Sequence, residues 1–288
     1  MNKTDLETFI QVAETASTSE AARRLHVSQP AVSRRIQSLE DTLPTNLFDR
    51  VGKRLQLNHA GRIFLPQAKA MMAAWRHAQR ELADLSDAVT GTLHLATSHH
   101  IGLHRLSPVL REFRSQYPHV QLNIIFEDSE ITHEMVRDGR LDLSIATLDP
   151  RGSEDLATET IWHDPLVFVA QQIGQYTLSE LADQACVLPG TSTYTGRIIL
   201  NRFKASGIDL QPAMSTNYLE TIHMLVGVGV GWSVLPQTMQ AGLEALTVTD
   251  LEEPLSRSLG MVTYPDRALS AASRAFQSVL RDYADIPS

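Results

Sequence analysis

Residues 19–43 read SEAARRLHVSQPAVSRRIQSLEDTL, and this stretch predicts two short helices joined by a tight turn. A helix start is favoured at residues 17–19, where any of three hydroxyls can accept a free backbone N–H. Ala21 and Ala22 are small enough to let two helices cross closely, and Ser28 is the predicted N-cap of the second helix. The spacing is that of a helix-turn-helix, whose second helix can lie in the major groove of DNA.

The second helix has an apolar face and a polar face. Pro30 lies in its first turn, where the missing N–H costs nothing. The residues expected to point inward recur at helical spacing and are Ala31, Val32, Ile36, Leu39 and Leu43. The other face carries Gln29, Ser33, Arg34 and Gln37, residue types that bind base edges and phosphates. The alternative interpretation is a solvated surface helix.

Residues 47–57, LFDRVGKRLQL, predict two short strands around a basic turn. A hairpin of this kind beside a recognition helix forms a wing that can reach the neighbouring backbone or minor groove. Arg50, Lys53 and Arg54 are its predicted contacts. A solvated charged turn would have a similar sequence.

Residues 5–65 resemble the DNA-binding domain of LysR-type transcriptional regulators. The matching pieces are DLETFIQVAE, SEAARRLHVSQPAVSRRIQSLED, LFDR and LNHAG. The chain departs from the family at residues 16–18, where Ala-Ser-Thr replaces the usual Gly-Ser-Phe, and at Pro44, where Gly is usual. The resemblance implies DNA binding, and the predicted contacts are Thr18, Ser19, Ser28, Gln29, Pro30, Ser33, Arg34, Gln37, Arg50, Lys53 and Arg54.

A long amphipathic helix is predicted after the hairpin, with Asn58 as its N-cap and Pro66 disturbing its first turns. Its apolar residues alternate at spacings of four and three, as in a heptad seam: Phe64, Ala68, Met71, Trp75, Ala78, Leu82 and Leu85. Such a stripe favours a partner helix, although the helix could instead pack on its own core. The resemblance implies a homodimer, commonly assembled further into a homotetramer.

The pattern after residues 87–92 changes to alternating strands and helices, which predicts a parallel α/β sheet. Strands are predicted at 93–96, 120–126, 141–146, 166–170, 185–188 and 232–235, and helices at 101–117, 131–137, 195–205, 218–228 and 268–283. In the first of these helices the residues expected to point inward are Leu103, Leu106, Val109, Leu110 and Phe113.

The predicted fold class is α + α/β, and its last part is two-lobed and similar to periplasmic-binding proteins. Residues 1–60 are expected to form a winged helix-turn-helix and residues 61–88 a linker helix for dimerisation. Residues 92–288 are expected to form an effector-binding domain. Its first lobe spans about 92–162 and 266–288, and its second lobe about 163–265.

Ligands of open α/β sheets bind beyond the carboxyl ends of the strands. Three such ends are rich in hydroxyls and histidines, and the predicted effector-binding residues there are Ser98, His99, His100, Thr147, Thr191, Ser192 and Thr193. Helix N-termini at these ends favour an anion. The prediction is a small, anionic metabolite between the lobes, with no cofactor; the alternative is that these hydroxyls only cap helices.

The distribution of charge and the cysteine content further limit the classes of function that fit this chain. The chain has 25 basic and 33 acidic residues, yet residues 1–88 hold 12 basic against 10 acidic residues, so positive charge is concentrated in the predicted DNA-binding part. The single cysteine, Cys186, excludes an intramolecular disulfide and is expected to be an inert core residue. No histidine or cysteine spacing predicts a zinc site, and there is no signal peptide or apolar run of membrane-spanning length.

The preferred hypothesis is a bacterial, cytoplasmic transcription regulator and not an enzyme. It would bind promoter DNA at dyad sites, respond to a small effector and contact RNA polymerase, with no membrane partner. One alternative is a solute-binding protein whose N-terminal domain does not read DNA. A second is a hydrolase that uses Cys186 or the adjacent histidines, for which no set of nucleophile, base and orienting group is evident.

Overall fold

The structure, a computed structural model, describes residues 2–43, 45–51, 54–83, 89–265 and 267–284. The chain divides into two compact units, residues 1–82 and residues 83–288. No helix in the described ranges is both long and apolar enough to cross a membrane.

The first unit is a three-helix domain with a hairpin and a long final helix. Its elements are α1 (Lys3–Thr15), α2 (Thr18–Arg24), α3 (Gln29–Thr42), β1 (Phe48–Val51), β2 (Arg54–Leu57) and α4 (His59–Ala83). Ser17 caps α2 by accepting the backbone N–H of Glu20, and Ser28 is the N-cap residue of α3. The turn between α2 and α3 contains His26 at φ 53°, a left-handed conformation.

The core of this unit lies between α1 and α3, where the periodicity of the sequence placed it. Phe9, Ala21, Val32 and Leu39 are fully buried. Ala31 and Leu43, both expected to point inward, are only half-buried because they lie at the edges of the apolar face.

Helix α4 begins at His59, and Asn58 caps it by accepting the backbone N–H of Gly61. The first part of α4 packs on its own unit, since Phe64 lies 5.2 Å from the ring of Phe9 and both Ala68 and Met72 are buried. The expected single heptad seam is therefore wrong for its first residues. Phe64, Ala68 and Met72 belong to the apolar core of this unit, and Met71 and Trp75 do not.

Beside its core-facing residues, α4 carries an exposed apolar stripe. Its described members are Ile63, Ala70, Met71, Ala74, Trp75 and Ala78. Met71 and Trp75, which belong to the predicted seam, are 44% and 51% exposed. The side chain of Leu82 and the whole of Leu85, the last two seam positions, lie outside the described residues.

The strands of the second unit are β3 (Gly91–Thr97), β4 (Val120–Phe126), β5 (Leu143–Thr147), β6 (Ala157–Ala170), β7 (Gln175–Tyr176), β8 (Val187–Leu188), β9 (Met214–Ser215), β10 (Ser233–Pro236), β11 (Glu244–Ala245), β12 (Thr247–Val248) and β13 (Leu255–Thr263). Seven of them form a mixed sheet in the order β10-β6-β13-β5-β3-β4, with β11 also paired to β6. The others form two-stranded sheets, β12 with β7 and β8 with β9. The helices are α5 (His99–Ile101), α6 (Ser107–Gln116), α7 (Ser129–Arg137), α8 (Leu178–Ala182), α9 (Tyr194–Ala205), α10 (Leu219–Gly227) and α11 (Ala271–Arg281).

The expectation of a parallel sheet holds only for part of this unit. Strand β3 pairs with β4 and β5 in parallel, whereas β13 is antiparallel to both β5 and β6. The long strands β6 and β13 run side by side in opposite directions between the two lobes, which makes their pairing antiparallel. Their register shifts between Leu259 and Gly260.

One predicted helix, residues 101–117, has a different form. It is α5, then a π-helical turn over Gly102–Leu106, then α6. A π-helical turn adds a residue to the helical repeat and shifts every later position. Leu103, which was expected to point inward, is therefore 60% exposed, while Leu106, Val109 and Phe113 are buried and Leu110 is half-buried.

Each lobe has its own apolar core. The core of the first lobe joins strands β3 and β5 to the C-terminal helix α11, which contributes Phe276, Val279 and Leu280. The core of the second lobe surrounds Phe203 and Trp232. Cys186 is fully buried there, and burial raises the pKa of its thiol to about 11, as expected of an unreactive core cysteine.

Candidate functional site

The polar face of α3 is open to solvent. Gln29, Pro30, Ser33, Arg34 and Gln37 are all exposed, while Val32, Ile36 and Leu39 hold the opposite face in the core. This arrangement follows from the sequence alone, because an α-helix places residues three and four positions apart on one side. The exposed side therefore presents amide, hydroxyl and guanidinium groups together.

Other predicted DNA contacts lie at the start of the motif and on the hairpin. The amide nitrogen Nε2 of Gln29 donates to Oγ1 of Thr18 at 3.1 Å, which joins the N-termini of α2 and α3. Ser19, Ser28 and Arg50 are exposed. Lys53 and the side chain of Arg54 lie outside the described residues.

A cavity of about 390 Å³ lies in the second unit, between the lobes. Its first-lobe wall comes from the ends of β3, β4 and β5, and includes Ser98, His99, His100 and Thr147. The second-lobe wall comes from the N-termini of α9 and α10. Thr193 lies on that wall, so five of the seven predicted effector residues are brought together at one cavity.

Thr191 and Ser192 do not line this cavity, which contradicts their predicted place in the pocket. Both side chains are exposed, and it is Thr193 that caps α9 by accepting the backbone N–H of Gly196. Gly196 leaves room for this turn, because a Cβ there would lie 2.2 Å from the carbonyl oxygen of Gly190. The close approach of the turn to the helix directs Thr191 and Ser192 outward.

A charge cluster built on a buried ion pair reaches the cavity wall through Arg257. Arg257 Nε donates to Asp164 Oδ2 at 2.8 Å, and Arg105 Nη2 reaches the other carboxylate oxygen at 3.3 Å. Arg257 and Asp164 face each other on the paired strands β13 and β6, and the Asp164 side chain is fully buried. Arg257 also donates from Nη1 to Thr195 Oγ1 at 2.8 Å, while its Nη2 is buried without a hydrogen-bond partner.

Three acidic residues on the cavity wall already accept hydrogen bonds across the cleft. Asp128 accepts from the Asn217 amide at 2.6 Å, and Glu130 accepts from the backbone N–H of Tyr194. Glu220 lies 3.3 Å from Nε2 of His104. Each pair joins one lobe to the other. Burial raises the pKa of the Glu130 carboxyl. The hydrogen bonds that the carboxylate accepts oppose this rise.

Two buried histidines lie beside this cleft. Burial, reinforced by the positive charges of Arg257, His104 and Arg105, lowers the pKa of His100 to about 3. Burial also lowers the pKa of His133 to about 4, and its Nδ1 lies 3.0 Å from the Tyr194 hydroxyl. Both imidazoles are therefore neutral near pH 7.

Comparison with known proteins identifies both units. Residues 4–62 match the family model described as the bacterial regulatory helix-turn-helix protein of the lysR family, and residues 86–285 match the LysR substrate binding domain. The chain is 30% identical over 289 residues to the transcriptional regulator YeiE of Escherichia coli, covering 97% of this chain and 96% of that one. It is a LysR-type transcriptional regulator.

Solved structures of other LysR-type regulators share the fold. The crystal structure of CbnR matches with a TM-score of 0.66 at 21% identity, covering 99% of this chain and 100% of CbnR. CbnR in complex with its target DNA matches with a TM-score of 0.64 at 22% identity, over 99% of this chain and 100% of that one. An OxyR variant from Pseudomonas aeruginosa matches with a TM-score of 0.65 at 23% identity, over 100% of this chain and 99% of that one.

Arg257, which lines the cavity of this LysR-type regulator, was not among the residues predicted from the sequence. A signal was present, since Leu255, Arg257 and Leu259 alternate along one strand and all three are buried. A charged residue at a buried position of a strand normally needs a partner. The partner, Asp164, is 93 residues distant in the sequence, and no local pattern connects the two.

Below pH 6.5, acidification is expected to destabilise the second unit of this LysR-type regulator. The unfolded chain protonates His133 near pH 6.5 and the folded chain only near pH 4, so the unfolded state binds more protons in that window. The stabilisation is complete above pH 6.5 and is lost on lowering the pH, at up to about 1.4 kcal/mol per pH unit for each such histidine. His100 contributes in the same direction.

Urea unfolding at about pH 7, 6 and 5 measures this dependence. His133→Gln should make the free energy of unfolding depend less steeply on pH, because it removes the contribution of one of the two buried histidines. The matched control is His119→Gln, an exposed histidine of the same lobe, which should keep the wild-type slope. Equal slopes for His133→Gln and the wild type would contradict the assignment.

Proposed function

We propose that this LysR-type regulator responds to a small anion bound in the cavity between its two lobes. The main support for this proposal is Arg257, which lines the cavity and whose buried Nη2 has no hydrogen-bond partner. A buried donor left unsatisfied costs about 1–3 kcal/mol, and an anionic ligand would recover this.

Hydroxyl groups supply the remaining donors of the proposed anion site. Ser98 is the N-cap residue of α5 and its side chain makes no capping hydrogen bond, so its hydroxyl is available to a ligand. Thr147 lies on the first-lobe wall and Thr195 on the second-lobe wall, whereas the Thr193 hydroxyl already donates to the carbonyl oxygen of Gly190 at 2.8 Å. A charge-assisted set of this kind binds carboxylates or oxyanions.

In the proposed response, the two lobes switch between a more open and a more closed arrangement. An anion that bridges Ser98 in the first lobe and Thr195 in the second binds better when the lobes are close together. A ligand shifts a conformational equilibrium only through such a difference in affinity. Closure would then change the arrangement of subunits, the spacing of the DNA-binding units and the contact with RNA polymerase.

We also propose that α4 pairs two subunits through its exposed apolar stripe. A helix that exposes Ile63, Met71 and Trp75 along one side in water is favourably covered by a second copy. Two paired chains would present two α3 helices to successive major grooves, which predicts a dyad-shaped DNA site.

Ser98→Ala is expected to weaken anion binding by about 10-fold or more, because it removes one hydrogen bond to a charged ligand. The measurement is the shift in thermal unfolding of the full chain with a panel of sulfate, phosphate and small carboxylates. Thr191→Ala is the matched control, since its side chain is exposed and lies outside the cavity. Equal losses in the two variants, or no stabilisation by any anion, would remove the support for this site.

The regulatory role is tested by mapping the genomic sites that the chain occupies in its host, with and without a metabolite shift. Discrete interrupted dyads upstream of genes are expected. Unchanged occupancy and transcription under every metabolite condition would argue against an effector-controlled regulator.

A further inference from the structure

Three side chains with metal-binding atoms meet at the edge of the cleft. The nearest ligand atoms of His100, His104 and Glu220 all lie within 4.8 Å of one another. His104 Nε2 lies 3.3 Å from Glu220 Oε1, and His100 Nδ1 lies 3.8 Å from the same oxygen. The two imidazole rings are 4.7 Å apart. A hydrogen bond between His104 and Glu220 explains only one of these approaches.

His100 is the residue that a simple ion pair leaves unexplained. Its side chain is 4% exposed, and neither Nδ1 nor Nε2 has a hydrogen-bond partner. Buried polar atoms are nearly always satisfied, so a histidine with two unsatisfied nitrogens indicates a missing partner. The lone pair of an imidazole is itself the atom that coordinates a metal ion.

We propose that His100, His104 and Glu220 form a binding site for a divalent transition-metal ion of the zinc type. Imidazole nitrogens select zinc, copper, iron or nickel over magnesium and calcium, which prefer oxygen ligands. Two histidines and one glutamate match a zinc site that keeps its fourth position open to water or a ligand. Metal–ligand bonds of about 2.0–2.2 Å place tetrahedral ligand atoms roughly 3.3–3.6 Å apart, so only small side-chain shifts are needed.

The surrounding charges allow a cation at this position. Arg105 and Arg257 contribute two positive charges near His100, and each weakens the attraction for a metal. Asp164 pairs with both guanidinium groups, and Glu220 supplies a second carboxylate. The four charged side chains therefore sum to zero before the metal is added.

Two of the three ligands come from one continuous helical stretch. His100 lies in α5 and His104 in the π-helical turn that follows it, and residues four positions apart lie on the same side of a helix. Glu220 comes from the first turn of α10 in the other lobe. A bound metal would therefore hold the two lobes at this separation, as a second input to the regulator besides the anion. The proposal rests on these three side chains and not on the anion site.

Isothermal titration of the chelator-treated full chain with Zn²⁺, and separately with Co²⁺, tests the site. One ion per chain is expected to bind. The visible absorption spectrum of bound Co²⁺ should be that of an ion with a low coordination number. His104→Gln and Glu220→Gln should each weaken binding by about 100-fold, because each removes one of three ligands. Zn²⁺ should also raise the midpoint of thermal unfolding of the wild type and not of Glu220→Gln.

His119→Gln is the control for adventitious binding, since this exposed histidine belongs to the same lobe and lies outside the cluster. It should bind Zn²⁺ like the wild type. Absence of stoichiometric binding, or equal affinity in the wild type, His104→Gln and Glu220→Gln, would overturn the metal site. Stabilisation by anions in the same preparation would show that the anion site survives that outcome.

Discussion

Replacing Asp164 with asparagine is expected to lower the free energy of unfolding by about 3–5 kcal/mol. The carboxylate is fully buried and pairs with Arg257 and Arg105, which come from two different elements. An amide of the same size keeps the shape, but it leaves the buried guanidinium group of Arg257 and the partly exposed one of Arg105 without a counter-charge. Chemical denaturation, followed by tryptophan fluorescence, measures the change.

Asp155→Asn is the matched control for this substitution. Its carboxylate also pairs with an arginine, Arg137, and that pair holds the pKa of Asp155 at about 2, yet the side chain is about half exposed. Exposed ion pairs contribute at most about 1 kcal/mol, so this variant should unfold close to the wild type. A loss for Asp164→Asn no larger than that for Asp155→Asn would show that the buried cluster does not stabilise the fold.

Arg34→Ala is expected to reduce specific DNA affinity by about 1–3 kcal/mol for each half-site, and so by about 2–6 kcal/mol in a dimer. Arg34 lies on the exposed polar face of α3, one turn from the N-terminus that would enter the groove. The loss should be concentrated at one base pair of each half-site. Binding assays at fixed salt, with single base-pair changes in a mapped site, measure both effects.

Arg35→Ala is the neighbouring control. Arg35 is half-buried and its Nη1 donates to Thr8 Oγ1 of α1 at 3.4 Å, so its guanidinium faces the domain. This variant should keep the sequence preference of the wild type. If Arg34→Ala weakened binding equally for all sequences, Arg34 would contact only phosphates.

Local patterns explain which parts of this structure could be predicted. The start of α2 at Ser17, the start of α3 after Ser28 and the buried face of α3 depend on neighbours within four residues, and all three were predicted. Only Ser17 makes a side-chain capping hydrogen bond; Ser28 makes none. The register error at Leu103 arose because the π-helical turn has no clear sequence signal. The turn lies against Phe126, whose ring leaves no space for a Cβ at Gly102.

The position of the cavity in the fold could be predicted from the sequence, but not all of the residues that line it. Strand ends located Ser98, His99 and Thr147, because the rule that ligands bind beyond strand carboxyl ends concerns topology. Thr191 was misplaced because the cap residue of α9 is Thr193, two residues further on. Arg257 and Glu220 reach the cavity only through the pairing of distant elements, which no short-range pattern encodes.

The shared core of β3, β5 and α11 has a consequence for biosynthesis. The ribosome completes the DNA-binding unit and then every residue of the second lobe before it makes Phe276 and Leu280, which the first lobe needs. Domains fold as units during synthesis, N-terminal ones first. A nascent or prematurely terminated chain that lacks the last 20 or so residues would therefore carry a finished DNA-binding unit without its sensor.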